Sequence, residues 1–354
     1  MTPSTVAAEK TAPQKGPKKN RIGLTMQDYK GAASTLCAGC GHDAITSSIV
    51  KAFFEMDIPP HQVAKLSGIG CSSKTTNYFF NTSHGFNSVH GRMATIATGT
   101  AVANRNLVNI GVSGDGDTAS IGLGNFSHMI RREVPMVYIL ENNGCYGLTK
   151  GQFSATADKG SYKKGGEVNS NTPIDCCALA IEMGCGFVAR SFSGDPKQVR
   201  TLLKAALAHG GTALVDVLSP CVTFNNHEGS TKSYSYAKAH EDALHDIGFI
   251  PSYEQIEVDY EAGAMQVVTL HDGSAITLRK LDIDYDATSR AAARKLLEAA
   301  RDETLFYTGL LYYNDKSSTI QDNLDLVNEP LATLPDSLTC PGQEAFDEIM
   351  TSFR

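Results

Sequence analysis

The 354-residue sequence predicts an α/β fold with a doubly wound, mostly parallel sheet. Two observations support this prediction. Short apolar runs typical of buried strands, such as 107–113 and 213–218, alternate with amphipathic segments typical of helices, such as 43–56 and 196–209. Hydrophobic residues make up 42% and charged residues 19%, so the chain can bury a sizeable core. Strands that alternate with helices imply a parallel sheet covered on both faces.

The elements are predicted from about residue 31 onward. In the first helix, Ile45, Ile49 and Phe53 share one face, and the prolines at 59–60 end it. In a later helix, Ile121, Phe126 and their neighbours form the apolar side. The remaining strands are apolar runs bounded by turn residues. The predicted strands are 62–69, 107–113, 135–140, 187–191 and 213–218, and the predicted helices are 43–56, 92–104, 117–132, 173–184 and 196–209.

We divide the chain into four parts. Residues 1–25 form a basic tail without periodicity, and residues 26–225 form the main domain. Residues 226–335 form a less regular C-terminal extension, in which the runs 265–270 and 275–281 flank a hairpin signature and a helix is predicted at 287–302. Residues 336–354 form a C-terminal tail.

Charge and hydropathy exclude several classes of protein. The 31 basic and 38 acidic residues give a net charge of −7, which argues against nucleic-acid binding by charge alone. No apolar run approaches the roughly 20 residues that a membrane helix needs. The first residues lack the apolar segment of a signal peptide. We therefore expect a cytoplasmic protein, where nine cysteines favour metal or redox chemistry over disulfides.

A glycine-flanked aspartate follows the strand predicted at 107–113. The segment Gly114-Asp-Gly-Asp117 leads into a helix, and Asn143 ends the next strand at the same edge of the sheet. Asp115 and Asn143 are thus predicted to share a Mg²⁺ ion with a backbone carbonyl near Cys145 and with the oxygens of a diphosphate. This spacing resembles the thiamine-diphosphate motif, whose cofactor performs carbanion chemistry on 2-oxo acids.

Four cysteines lie in loops where helices or strands begin or end. Cys37 and Cys40 form a C-x-x-C pair, Cys71 follows the strand at 62–69, and Cys221 follows the strand at 213–218. Four thiolates suit a [4Fe–4S] cluster or Zn²⁺, and the C-x-x-C pair also allows thioredoxin-like chemistry. The thiamine motif favours the cluster, because oxidative decarboxylation of a 2-oxo acid needs an electron acceptor.

With these features, the chain resembles the β subunit of 2-oxoacid:ferredoxin oxidoreductases from about residue 31 to about residue 332. It is the ordered set of five segments that carries the resemblance. The segments are Cys37-Ala-Gly-Cys-Gly-His-Asp43, Gly68-Ile-Gly-Cys-Ser-Ser73, His90-Gly-Arg-Met-Ala-Thr-Ile-Ala-Thr-Gly99, Gly114-Asp-Gly-Asp117 and Tyr146-Gly-Leu-Thr-Lys-Gly-Gln152. The resemblance implies a sheet of the thiamine-diphosphate-binding type.

The resemblance also implies roles for individual residues. The implied ligands of one [4Fe–4S] cluster are Cys37, Cys40, Cys71 and Cys221. The implied Mg²⁺ ligands are Asp115, Asn143 and the carbonyl of Cys145, and the implied diphosphate contacts are Ser72, His90 and the backbone of Gly116 and Asp117. Lys74 is expected to lie near the substrate, opposite Leu148, because the family associates this lysine with 2-oxo acids that carry a second carboxylate.

The implied function is that of the β subunit of a 2-oxoglutarate:ferredoxin oxidoreductase. Such an enzyme decarboxylates its 2-oxo acid with coenzyme A and passes electrons through the cluster to ferredoxin, and the reaction is reversible. The chain has one diphosphate-binding unit and lacks the activating carboxylate domain, so an α subunit is expected, in an α2β2 assembly. The alternatives are a pyruvate or broad-range enzyme, a thiamine-dependent decarboxylase or synthase with structural zinc, and a non-catalytic electron carrier.

Overall fold

The computed structural model describes residues 17–163, 166–223, 256–269, 275–302, 305–316 and 318–353. The strands are β1 (Val63–Ser67), β2 (His84–Asn87), β3 (Val108–Gly114), β4 (Met136–Asn142), β5 (Cys145–Tyr146), β6 (Gln152–Phe153), β7 (Phe187–Phe192), β8 (Thr212–Leu218), β9 (Met265–Thr269), β10 (Ala275–Lys280) and β11 (Leu305–Tyr313). The main sheet has the order β2-β1-β3-β4-β8-β7-β11-β10-β9, and β5 and β6 pair separately.

The α-helices are α1 (His42–Glu55), α2 (Met93–Ala103), α3 (Leu123–Arg131), α4 (Cys176–Glu182), α5 (Pro196–His209), α6 (Arg290–Asp302), α7 (Ile320–Asn323), α8 (Asp336–Thr339) and α9 (Gln343–Ser352). Short 3-10 helices occur at Met26–Tyr29, Pro60–Gln62, Ser72–Tyr78 and Leu331–Thr333. In the described ranges, no helix is long and apolar enough to cross a membrane.

The sheet is doubly wound because its two faces bury separate hydrophobic clusters. Helices α1 and α5 cover one face with residues such as Phe53 and Leu203. Helices α2, α3, α4 and α6 cover the other with residues such as Phe126 and Leu297. Successive residues of β4 alternate between the two clusters: Ile139 joins the first and Leu140 joins the second. This two-sided burial explains why the central strands are continuous apolar runs in the sequence.

The predicted fold class is confirmed. Strands β2, β1, β3, β4, β8 and β7 pair in parallel, whereas β11 pairs antiparallel with β7 and β9 antiparallel with β10. The pairing of β9 with β10 agrees with the predicted hairpin, and its turn at 270–274 lies outside the described residues. Strand β11 joins β10 to β7, so the C-terminal extension continues the main sheet.

One predicted helix is divided in two. The helix expected at 117–132 is a π-helical turn, Gly116–Ile121, followed by α3. The division falls at Gly122, whose missing side chain lets its backbone lie against the backbone of Gly91. A Cβ atom at residue 122 would lie 2.8 Å from the Gly91 carbonyl oxygen. The close contact between the two loops therefore depends on glycine at this position.

The two predicted tails differ in how they contact the fold. Residues 1–16 lie outside the described part of the chain. Near the end of the first tail, the Asn20 amide donates to the Tyr29 hydroxyl at 2.9 Å and to the Phe54 carbonyl at 3.2 Å. At the other end, α9 buries none of its residues in this chain.

A buried ion network joins β7, β8 and α4. Arg190 Nε donates to Asp216 Oδ2 at 2.9 Å, and Arg190 Nη2 donates to Asp175 Oδ1 at 2.7 Å. Asp175 also accepts the backbone N–H groups of Cys177 and Ala178, so it caps the N-terminus of α4. Burial opposes the charge on Arg190, but its carboxylate neighbours raise its pKa well above the ordinary value.

We predict that Arg190→Met destabilises the fold by about 3–5 kcal/mol, because it leaves the buried Asp216 carboxylate and the partly buried Asp175 carboxylate without their cation. The matched control is Arg294→Met, since Arg294 pairs with Glu182 at a site where both side chains are about half exposed. That change should cost only about 0–1 kcal/mol. Urea denaturation measures both effects, and equal midpoints for the two variants would contradict the prediction.

Candidate functional site

A cleft lies at the carboxyl ends of the parallel strands. The loops that follow β1, β3 and β4 line it, together with His90 from the loop before α2. Ligands of doubly wound sheets bind at this edge. The cleft brings together Cys71, Ser72 and Asp115 with Asn143 and Leu148.

Asp115 is buried at the floor of this cleft, with 1% of its surface exposed. Its Oδ2 atom accepts hydrogen bonds from Gly144 N at 2.9 Å and from the hydroxyls of Ser154 and Thr156, each at 2.5 Å. Burial raises the pKa of this carboxyl group, and these donors oppose the rise. All three partners belong to the segment between β4 and α4, so Asp115 joins the loop after β3 to that segment.

Because Gly116 has no side chain, the ring of Tyr146 can lie directly against its backbone. A Cβ atom at residue 116 would lie 2.5 Å from Cε1 of Tyr146. The Tyr146 hydroxyl donates to the Gly116 carbonyl at 3.1 Å, which holds the ring against the glycine. The backbone therefore borders the cleft without a side chain, as close approach to a phosphate group requires.

The Asp117 side chain supports the loop before α2. Its Oδ1 accepts from Gly91 N at 2.7 Å and its Oδ2 from the Ser113 hydroxyl at 2.8 Å. Both oxygens are occupied, which agrees with the expectation that only the backbone of this residue faces a ligand. The first contact also fixes the loop that carries His90, whose exposed ring borders the cleft.

The oxygen atoms at this edge suit a small hard cation. Asn143 Oδ1 accepts the N–H of Cys145 at 3.1 Å, which turns the chain after β4 and keeps the amide beside the cleft. The Asp115 carboxylate, the Asn143 amide oxygen and the Cys145 carbonyl are the ligand types that Mg²⁺ prefers. These residues fit the magnesium and diphosphate site predicted from the sequence, whose occupation stays a prediction.

The cysteines that were predicted to bind a cluster lie beside the same cleft. A Cβ atom on Gly147 would lie 3.5 Å from the Cys71 sulfur and 3.6 Å from the Cys221 sulfur. The pKa of the Cys71 thiol is raised by burial and by electrostatic interaction with Cys221 and Cys37. Burial raises the pKa of Cys40 to about 12, with a smaller contribution from Cys37. The Cys71 and Cys221 sulfurs thus lie near the same glycine, and Cys37 contributes to raising the pKa of both Cys40 and Cys71.

The cysteine side chains do not form a complete metal site in this structure. Among the residues that the structure describes, no three or more His, Cys, Asp and Glu side chains are grouped closely enough to hold a metal ion. The donor chemistry nevertheless fits an iron–sulfur cluster, since four thiols from three loops meet at one edge. The cluster therefore stays a prediction.

The sequence did not indicate a buried polar group that lies behind the loops of Cys40, Cys71 and Cys221. Glu141 and His42 are almost completely buried, with His42 Nδ1 3.5 Å from Glu141 Oε2. Burial raises the pKa of Glu141 well above its ordinary value and lowers that of His42 to about 4. Burial thus disfavours the charged form of each side chain, although their atoms lie at ion-pair distance.

The Glu141–His42 pair connects the loops that carry Cys40, Cys71 and Cys221. His42 Nδ1 lies 2.8 Å from the Ser219 hydroxyl, which donates to the Cys40 carbonyl at 2.7 Å. Thr75 contacts Glu141 Oε2 at 3.2 Å and donates to the carbonyl of Ser72, the residue after Cys71. No local sequence pattern indicates the group, because Glu141 lies inside an apolar strand and His42 in the first turn of a helix.

Lys74 and Leu148 occupy different surroundings. Leu148 borders the cleft and has 57% of its surface exposed. The Lys74 ammonium donates to the Thr35 carbonyl at 3.2 Å, and the residue is not part of the cleft wall. The structure thus brings Leu148, but not Lys74, together with the other predicted site residues. A substrate role for Lys74 stays a prediction.

The fold and the cleft define a thiamine-diphosphate-binding domain, and the comparisons agree. Residues 68–217 match the family model "Thiamine pyrophosphate enzyme, C-terminal TPP binding domain". The solved 2-oxoglutarate:ferredoxin oxidoreductase of Magnetococcus marinus has a similar chain, with a TM-score of 0.68 and 28% identity over 94% of this chain and 96% of that one. That structure contains 2-oxoglutarate, coenzyme A and succinyl-CoA.

Two curated relatives specify the family. The chain is 40% identical to the β subunit of 2-oxoacid:ferredoxin oxidoreductase 1 of Aeropyrum pernix, over 64% of this chain and 69% of the relative. It is 43% identical to the β subunit of 2-oxoacid:ferredoxin oxidoreductase of a Sulfolobus species, over 54% of this chain and 63% of the relative, so that match spans less than two thirds of its length. The chain belongs to the family of 2-oxoacid:ferredoxin oxidoreductase β subunits.

We predict that Gly116→Ala weakens binding of thiamine diphosphate at least tenfold, a loss of about 1.4 kcal/mol, because the new methyl group displaces the Tyr146 ring that borders the cleft. The matched control is Gly124→Ala, because Gly124 lies in α3 with open space around its Cα. Calorimetric titration with thiamine diphosphate and Mg²⁺ measures both affinities. Equal affinities in the parent and the Gly116→Ala variant would show that this backbone does not border the cofactor.

Proposed function

We propose that this chain is the thiamine-diphosphate- and cluster-binding subunit of a 2-oxoglutarate:ferredoxin oxidoreductase. The observation that carries the proposal is the position of the cysteine thiols. Cys71 borders the cleft formed by Asp115, Gly116 and Asn143, and the Cys221 sulfur lies beside the same loop. A two-electron oxidation in the cleft would thus have a one-electron acceptor next to it, which a thiamine enzyme that does not oxidise its substrate would not need.

Residues of six loops hold the groups in this proposal. Asp115, Asn143 and the Cys145 carbonyl bind Mg²⁺, and Ser72, His90 and the backbone at 116–117 contact the diphosphate. The ligands of one [4Fe–4S] cluster are Cys37, Cys40, Cys71 and Cys221. When bound, thiamine diphosphate supplies the electron sink that decarboxylation of a 2-oxo acid requires. The donors around Asp115 keep its carboxylate oriented toward the cation without rearrangement.

The chain contributes half of the active site in this proposal. Its cleft contains the residues for a diphosphate and a cation, and the activating carboxylate for the thiamine ring is expected from an α subunit. We propose that the two subunits act together as an α2β2 assembly that takes coenzyme A and a 2-oxo acid and delivers electrons to ferredoxin. Support comes from the name of the Magnetococcus marinus structure and its bound ligands.

Purification of this chain together with its α subunit tests the proposal. A brown complex that releases thiamine diphosphate on denaturation, and that reduces ferredoxin only with 2-oxoglutarate and coenzyme A, is the expected result. A colourless complex containing zinc would identify the thiamine-dependent decarboxylase or synthase. Equal turnover of pyruvate would identify the broad-range 2-oxo acid enzyme, which the relatives' names also allow.

We predict that Cys221→Ser loses most of the iron and the electron transfer to ferredoxin, because a serine hydroxyl does not replace a thiolate ligand. The control is Cys340→Ser, since Cys340 is exposed and is not among the residues that line the cleft. Iron analysis and the visible spectrum give the readout. Full iron content in the Cys221→Ser complex would remove Cys221 from the ligand set.

We predict that Lys74→Ala lowers kcat/KM for 2-oxoglutarate by about one to two decades and leaves that for pyruvate nearly unchanged. A charge-assisted hydrogen bond to the distal carboxylate is worth about 1.5–3 kcal/mol, and pyruvate lacks that group. The Lys74 ammonium must leave the Thr35 carbonyl to make this contact.

The quantity to measure is the ratio of kcat/KM for 2-oxoglutarate to kcat/KM for pyruvate, since a loss of active enzyme lowers both values equally and leaves the ratio unchanged. The control for this prediction is Lys150→Ala, which removes an exposed cation on the loop after β5. If the ratio of the two kcat/KM values is the same in Lys74→Ala as in Lys150→Ala, the specificity for 2-oxoglutarate does not depend on Lys74.

A further inference from the structure

Two hydroxyl groups lie beside Asp115 and have no part in the cofactor contacts described so far. Ser154 and Thr156 follow β6, and they are 39 and 41 residues farther along the chain than Asp115. Ser154 is buried, with 6% of its surface exposed. Nothing in the local sequence relates this segment to the Gly-Asp-Gly motif, so only the fold places the two hydroxyls beneath the cleft.

The segment that carries both hydroxyls is held by backbone contacts of its own. Ser154 N donates to the Gly144 carbonyl at 3.2 Å, and Ala155 N donates to the Ser120 hydroxyl at 3.0 Å. Ile174 N donates to the Ala155 carbonyl at 2.7 Å. These contacts set the hydroxyls in place independently of Asp115, so the hydroxyls can orient its carboxylate before a cation binds.

Three hydrogen bonds end on one oxygen of the Asp115 carboxylate. Ser154 Oγ and Thr156 Oγ1 each donate to Oδ2 at 2.5 Å. Gly144 N donates to the same atom at 2.9 Å, and the N–H of Gly116 gives the carboxyl group a further favourable contact. Three donors around Oδ2 hinder the approach of a cation to that atom. Because Asp115 borders the cleft, Oδ1 is the oxygen that a cation there can reach.

The Thr156 hydroxyl also contacts the strand that leads to the second predicted magnesium ligand. Thr156 Oγ1 lies 3.0 Å from Asn142 Oδ1, and Asn143 is the next residue after Asn142. Thr156 Oγ1 is also 3.0 Å from Ser154 Oγ. The pair of hydroxyls therefore lies between the loop that carries Asp115 and the end of β4, and it fixes the two predicted ligands relative to each other.

We propose that Ser154 and Thr156 are positioning residues for Mg²⁺, which hold Asp115 Oδ2 and thereby make Oδ1 the oxygen that binds the cation. Hydrogen-bond partners of a ligating carboxylate orient it, and removing one typically weakens metal binding about 10–100-fold. The inference rests on the proposed function, because it requires a magnesium ion bound with a diphosphate in this cleft. It depends neither on the cluster nor on the identity of the 2-oxo acid.

The test is a calorimetric titration of the complete complex with Mg²⁺ at a fixed excess of thiamine diphosphate, after the bound cation has been removed with a chelator. Ser154→Ala and Thr156→Val should each raise the half-saturating Mg²⁺ concentration about 10–100-fold. Thr156→Ser keeps a hydroxyl and should bind Mg²⁺ nearly as tightly as the parent. The matched control is Ser161→Ala, because the Ser161 hydroxyl belongs to the same segment but donates to the Asp158 carbonyl.

A crystal structure of the Mg²⁺ complex tests the choice of oxygen. The ion should lie about 2.1 Å from Asp115 Oδ1, the usual distance for a magnesium ligand. Oδ2 should keep its contacts with the Ser154 and Thr156 hydroxyls. An ion bound to Oδ2 would overturn the inference.

The titration separates the inference from the function on which it rests. A parent complex that binds thiamine diphosphate equally well without Mg²⁺ would overturn both. A parent that requires Mg²⁺, with the same half-saturating concentration in Ser154→Ala and Thr156→Val, would overturn the inference alone. Equally weak binding in Thr156→Ser and Thr156→Val, or weakened binding in Ser161→Ala, would also overturn it, since loss of the donor would then not be the cause. A parent without iron would overturn the proposed function and leave the inference standing.

Discussion

Burial of the Asp115 carboxylate is the constraint on which the arrangement of the cleft depends. A buried carboxylate is stable only if donors replace the water it has lost. The protein supplies Gly144 N–H and the hydroxyls of Ser154 and Thr156, all from the segment after β4. That segment must therefore fold back over β3. The same requirement brings Tyr146 against Gly116 and places Cys145 beside the cleft.

The Thr156 hydroxyl connects Asp115 to the central strands of the sheet. It lies 3.0 Å from Asn142 Oδ1, and the Asn142 amide donates to Asp216 Oδ1 at 3.2 Å. Asp216 is in turn held by Arg190, so one chain of buried polar contacts runs from the cleft floor to the N-terminus of α4. Buried networks of this kind are rigid when every member is satisfied. The cleft floor is thus fixed by the central strands as well as by its own loops.

The local pattern was sufficient to predict the fold class, α5 and most of the central strands, because two-sided burial leaves a continuous apolar run in the sequence. It was not sufficient for β2, whose residues are all exposed, or for β11, whose place in the sheet depends on pairing with a distant β7. The structural role of Glu141 could not be predicted from the local pattern for a similar reason. A lone acid in an apolar strand gives no signal until the fold places His42 and Thr75 beside it.

Asp115 and Glu141 are buried acids of this edge that have different hydrogen-bond partners. Asp115 accepts hydrogen bonds from three donors of the segment after β4, and these donors oppose the rise in its pKa that burial causes. Glu141 has the Thr75 hydroxyl and the His42 ring beside it, and burial raises its pKa well above the ordinary value. Its charged form is therefore disfavoured behind the cysteines, where negative charge would repel thiolates that bind a cluster and would oppose the uptake of an electron. Hydrogen-bond donors thus favour the charged form of the acid beneath the cleft, whereas burial disfavours the charged form of the acid behind the cysteines, and this difference lets a cation site and a site for electrons share an edge of the sheet.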